Sequence, residues 1–138
     1  MMQSYTVTEV EDICGISRRT ISEYVAKGLL SGPSHRGRGA RYPQSDIDVL
    51  KLLPKFRTLM KREFPNLNAV ATFVRQISMH DLRMLAKKSS AASFVLAVKR
   101  LRIRNSLAAL APHVAPEHIE NVLDGLSEGQ IRAIDSGR

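Results

Sequence analysis

The sequence predicts an all-α protein with a small wing: a helical head that projects one loop, followed by a helical C-terminal region. Three observations carry this reading. Apolar residues recur at helical spacing along most of the 138 residues. Aromatic content is only 5% and tryptophan is absent, which suits Leu, Ala and Val packing between helices better than a sandwich or barrel. The segment 31–41 combines Gly32, Gly37 and Gly39 with His35, Arg36, Arg38 and Arg41 and has no acid.

The first helix is expected over residues 8–14, with Thr8 as N-cap and Glu11 closing a T-x-x-E capping box. Val7, Val10, Ile13 and Cys14 form its apolar side. Gly15 supplies the permissive backbone of a C-cap, Ile16 plugs the turn, and Ser17 caps the next helix. That second helix, residues 18–27, turns Ile21, Tyr24 and Val25 inward and leaves Arg18, Arg19, Ser22, Glu23 and Lys27 for solvent or a ligand. Gly28 ends it, and Leu29 and Leu30 pack underneath. A helix set by a tight turn fits the major groove of DNA, and an unopposed basic loop beside it can lie along phosphates.

The order and spacing of these residues resemble the DNA-binding domain of the MerR family, a winged helix-turn-helix. The similarity rests on Y-T-V-x-E-V (Tyr5 to Val10), G-I-S-x-R-T (Gly15 to Thr20) and Tyr24 followed by K-G-L-L (Lys27 to Leu30). It also rests on Arg41-Tyr42, with Asp46 and Ile47 opening the next helix. It covers about residues 5–64. The resemblance implies that Arg18 and Arg19 sit at the groove, with Ser22 on the same face. It also implies that Tyr24 and Lys27 touch phosphate and that Arg36, Arg38 and Arg41 serve the wing. There are departures: Arg38-Gly39-Ala40-Arg41 ends the wing without the usual aromatic and paired basic residues, and Glu23 and Val25 replace the family's common choices. Pro54 falls in a helix that is continuous in relatives.

Beyond the wing, Ser45 is expected to cap a helix with Ile47, Leu50, Leu53, Phe56, Leu59 and Met60 inward and a kink near Pro54. Asp46 and Asp48 are read as favourable charges at its N-terminus. Further helices are expected at 67–77, at 79–88 behind the box Ser78-Met79-His80-Asp81, at 91–111, at 116–124 and at 128–135. The 91–111 helix carries apolar residues on more than one face and a basic cluster of Lys99, Arg100, Arg102 and Arg104. It therefore reads as packing on its own domain on one side and on a second subunit on the other, with Leu101 and Leu107 as dimerisation positions. Phe73, Phe94 and Met84 are read as plain core. The expected division is a DNA-binding head, 1–64, and a helical dimerisation or assembly region, 65–138. The latter departs from the family's long dimer helix, because Ser89-Ser90 and Pro112 break it.

Net charge is +8, from 21 Lys+Arg against 13 Asp+Glu, with a pI near 10.2. Such a balance favours polyanions through counterion release. Lys51, Lys55, Arg57, Lys61 and Arg62 form a second basic stretch, which could flank a DNA backbone or be a solvated face. Cys14 is the lone cysteine, so no internal disulfide forms and a thiolate metal site lacks its second soft ligand. His35, His80, His113 and His118 have no metal-ligand spacing, and neither a phosphate-cradling glycine loop nor a nucleophile elbow appears. No cofactor, metal or enzymatic activity is expected, and no apolar run of signal-peptide or membrane-spanning type is present.

The resulting expectation is a cytoplasmic, bacterial or phage-borne transcriptional regulator that binds double-stranded DNA as a homodimer through the second helix and the wing. Two other readings use the same features. One is an architectural DNA-binding factor of the excisionase or plasmid partition type. The other is a protein-interaction adaptor, in which the C-terminal helices hold a partner such as RNA polymerase.

Overall fold

In the computed structural model, residues 4–33 and 39–135 are described. They form two compact units, Met1–Lys87 and Lys88–Arg138. The first contains β1 (Ser4–Tyr5), α1 (Val7–Cys14), α2 (Arg18–Ala26), β2 (Tyr42–Pro43), α3 (Gln44–Leu59), α4 (Leu67–Arg75) and α5 (Met79–Ala86). The second contains α6 (Ala91–Leu110), α7 (Pro116–Asp124) and α8 (Glu128–Asp135).

In the first unit β1 and β2 pair antiparallel, with Ser4 opposite Pro43 and Tyr5 opposite Tyr42. This ties the start of the chain to the far end of the segment between α2 and α3, where the wing is expected. The Tyr5 hydroxyl and the Gln44 side chain reinforce the pairing with a hydrogen bond. The capping box of α1 lies two residues earlier than expected. Thr6 Oγ1 accepts from the Glu9 amide at 3.2 Å, and Glu9 Oε1 accepts from the Thr6 amide at 3.0 Å. Two overlapping T-x-x-E patterns, 6–9 and 8–11, compete here. The earlier one lets α1 begin directly after β1, with Val10 fully buried, and leaves Thr8 and Glu11 available for another task.

The long helix α3 runs through Pro54, which faces solvent with Lys51 and Arg57, whereas Leu50, Leu53 and Phe56 are buried on the other side. Packing of that side keeps the helix going despite the missing amide donor. Its N-cap is Pro43, with no side-chain cap bond, so Ser45 does not serve as expected. Leu59 is exposed, and inward packing ends with Phe56 and Met60. Phe56, Phe64 and Phe73 form a triad of edge-to-face rings, with centroids 4.7, 5.8 and 5.4 Å apart. Such pairs add about 0.5–1.5 kcal/mol each beyond area burial. Through this triad α4 joins the core of α3, so the first compact unit reaches well past residue 64.

Asp46 and Asp48 do not simply charge a helix N-terminus. Both are buried. Asp46 Oδ1 accepts from the Ser31 amide (2.9 Å) and hydroxyl (2.8 Å), and Oδ2 accepts from the Gly32 amide (2.9 Å). Burial pushes the Asp46 carboxyl above its ordinary value, against the opposing pull of these Ser31 and Gly32 bonds. Asp48 accepts from Arg83 Nη1 at 2.8 Å and from the Gln44 side-chain amide at 3.1 Å, which fixes α5 on α3. Met84 is exposed rather than core, whereas Phe73 and Phe94 are buried as expected.

The second unit closes on Ile103, Ile119, Leu123 and Ile131, with Leu96, Leu107, Val114 and Leu126 packed against them. Ser90 caps α6, accepting from the Ser93 amide at 3.1 Å. The basic cluster of α6 is absorbed by its neighbours. Arg100 reaches Glu120 (3.1 Å) and Asp124, Arg104 lies 3.8 Å from Glu120, and Arg102 reaches Asp135 (3.2 Å), with Lys99 at 4.0 Å.

Candidate nucleic-acid interface

The turn between α1 and α2 follows from local sequence. Gly15 adopts φ +68° as C-cap and donates to the Glu11 carbonyl at 2.8 Å. An L side chain rarely holds that conformation. Ser17 then caps α2 by accepting from the Thr20 amide at 3.2 Å. With Ile21 fully buried beneath, the opposite side of α2 is left to solvent. With side chains an α-helix is about 10–12 Å across, which fits a major groove about 12 Å wide.

The side chain of Arg19 is 91% exposed, with Glu23 Oε1 at 3.5 Å. A pair of that kind contributes little in water and is readily exchanged for a stronger anion. Ser22 and Lys27 are also exposed. Tyr24 is half-buried, and its carbonyl accepts from the Leu29 amide at 3.0 Å as α2 turns over at Gly28.

Arg18 is anchored. Its Nε donates to Glu11 Oε1 at 2.9 Å and its Nη2 to Thr8 Oγ1 at 2.8 Å. The residues misread as a capping box thus hold this arginine at the start of α2. Arg41 is held comparably: Nε donates to Ser4 Oγ (2.8 Å), Nη2 donates to the Ser4 carbonyl (2.9 Å), and Glu9 lies at 3.8 Å. Its bonds to Thr6 hold the Glu9 carboxyl below its ordinary value, the backbone bond contributing most, with Arg41 a lesser cause. Helix α1 therefore holds Arg18, and β1, through Ser4, holds Arg41 at the far end of the loop segment. Thr8, Glu9 and Glu11 were not expected at this site; the doubled T-x-x-E pattern was the one available signal.

Arg36 and Arg38 lie outside the described residues. Lys51, Arg57, Lys61 and Arg62 are exposed on and just after α3. Cys14 is half-buried, and burial pushes its thiol up, opposed by the charge of Lys51. Leu101 and Leu107 belong to the second unit. Leu107 packs against that unit's own core, and Leu101 is half-buried on α6. Among the described residues no group of three or more His, Cys, Asp or Glu side chains is gathered so that it could hold a metal ion, and no helix is long and apolar enough to cross a membrane.

Residues 5–72 match the family model of the MerR HTH family regulatory proteins. The first unit thus carries a helix-turn-helix domain of the MerR type, the kind found in DNA-binding transcriptional regulators. The match runs into α4, in keeping with the phenylalanine triad that joins α4 to α3. Searches of curated proteins and of solved structures return no match.

Proposed function

We propose that the protein recognises a specific DNA sequence as a homodimer, with α2 in the major groove and the loop between α2 and β2 acting as a basic wing. The observation that carries this reading is the exposed Arg19 at the start of a helix anchored on its opposite side by the fully buried Ile21. In this role Arg19 reads a base edge, and Arg18, Ser22, Tyr24, Lys27, Arg36, Arg38 and Arg41 bind phosphate or fix the approach. The anchoring of Arg18 to Glu11 lowers its net charge but sets its direction, which suits positioning better than base readout.

A single head of this size buries too little surface for tight specific binding, since small modules bury about 600–1,000 Å². Pairing of the C-terminal units would bring two heads to one operator. Leu110, Val122 and Ile134, with 82%, 57% and 50% exposure, support such pairing, because the second unit leaves these apolar side chains uncovered by its own chain.

The decisive experiment measures Arg19→Ala on the selected operator and on random DNA. Specific binding is expected to weaken by about 1–3 kcal/mol, with relaxed preference at one base and little change on random sequence. Equal weakening on both would make Arg19 a phosphate contact and remove the base-reading role.

A further inference from the structure

A cavity of about 400 Å³ opens in the first unit, within the range of small-molecule sites. Its walls are mainly apolar, from Leu30, Val49, Val74, Ile77 and Leu82, and Ser45, Ser78 and Arg75 also line it. We propose that this cavity binds a small carboxylic acid with an apolar tail, its carboxylate on Arg75 and its tail inward.

The Arg75 side chain is exposed and makes no ion pair or hydrogen bond among the described residues. Its guanidinium lies against Gly28, where a Cβ would sit 2.6 Å from Nη1. Gly28 has φ +77°, so this residue both turns the chain after α2 and leaves room for the guanidinium. A planar fork with no acid opposite it, beside an apolar cavity, suits bidentate recognition of a carboxylate.

The other charged group on the cavity wall sets the orientation. The Asp46 carboxylate already accepts from the Ser31 amide and hydroxyl and from the Gly32 amide. An ammonium ligand would have to compete with those donors, and a carboxylate pushed inward would meet like charge. The arrangement favours an acidic head at the rim. The wall also includes Leu29, Leu30 and Ser31, the residues that lead away from α2, so occupancy would bias how α2 is set against α3 and α5. That regulatory consequence rests on the DNA-binding reading, whereas binding of the acid does not.

The test uses the full chain, octanoate below its micellar concentration, and octanol as the uncharged counterpart. Calorimetry and amide NMR should show saturable octanoate binding that shifts Leu30, Val49 and Leu82, about tenfold tighter than octanol, as one charge-assisted pair implies. Arg75→Gln should remove that preference while octanol affinity stays the same, and Val49→Trp should block both. Absence of saturable shifts in the wild type would overturn the site. Equal binding of acid and alcohol, or an unchanged octanoate affinity in Arg75→Gln, would overturn the carboxylate assignment. Operator affinity of the wild type should change with octanoate, and that of Arg75→Gln should not. Octanoate binding by a protein that fails to bind DNA would leave the site standing and sink the DNA reading instead.

Discussion

Helices α6 and α2 use arginine in opposite ways. On α6 the cations are at most about one-third exposed and tie their helix to acids on α7 and α8; Arg102 and Lys99 converge on an Asp135 carboxylate only 3% exposed. On α2 the side chains of Arg18 and Arg19 are 62% and 91% exposed, and their partners lie on α1 or on α2 itself. Charge density along the sequence therefore does not locate an interface. What distinguishes the arginines of α2 is the absence of a buried acid opposite them, on a helix anchored in the core by Ile21.

The largest expected effect tests whether the second unit acts by assembly. Leu101→Glu is expected to dissociate the dimer and to reduce operator affinity by about 10²–10⁴, the loss of an effective-concentration advantage. Light scattering checks the first outcome and titration of operator DNA the second. A monomeric wild type would remove the dimer altogether, and an unfolded variant would place Leu101 in the intramolecular core. Leu107 is the poorer probe, because it already packs against its own unit's core.

Next in size, Asp135→Ala removes the acid on which Arg102 and Lys99 converge. Leaving those partly buried cations without it should cost about 1–3 kcal/mol in chemical denaturation. Arg19→Ala should leave stability within about 0.5 kcal/mol. If both substitutions were equally harmless to folding, the contrast between the units would collapse.

A smaller effect concerns the wing. Replacing Arg36 and Arg38 by alanine should weaken binding to all sequences and flatten the log affinity against log salt slope by about 0.9 per lost phosphate contact. An unchanged slope would take the loop off the DNA.

The smallest concerns Asp46. Its folded-state pKa is raised above 3.8 by burial, so the folded protein holds that proton more tightly than the unfolded chain. Its contribution to stability is therefore fullest below the unfolded pKa and declines as pH rises through the folded one. Carbon-detected NMR titration should give a midpoint above 3.8. The stability of wild type relative to Asp46→Asn should fall over the same rise in pH.

Local chemistry was legible in the sequence, and tertiary partnership was not. Ser17, Ser78 and the Gly15 turn could be read because caps and turns are decided within a few residues. The bounds of α7 and α8 follow from Pro116, Gly125 and Ser127 for the same reason. Asp46 does lie in the first turn of α3, but the burial of Asp46 and Asp48 is not legible, because their partners, Ser31 and Arg83, lie 15 and 35 residues away and no spacing rule links them. The shifted capping box shows the limit even of local rules. Thr6 and Thr8 carry the same motif, and the choice between them depends on β1 pairing with a strand at residue 42. In the candidate site the exposed face of α2 was legible from its turn, whereas the grip of α1 on Arg18 and of β1 on Arg41 appears only in three dimensions.

That grip bears on how such a head could be re-engineered. A designer who wished to move this recognition surface onto another scaffold would be tempted to graft α2 alone. The graft would carry Arg18 without Thr8 and Glu11, and the loop would arrive without the Ser4 and Glu9 that hold Arg41. Both side chains would then sample many rotamers, and ordering them again on DNA would cost about 0.5–1.5 kcal/mol each. The smallest portable cassette is therefore the run from β1 through β2, with α1 as its internal jig.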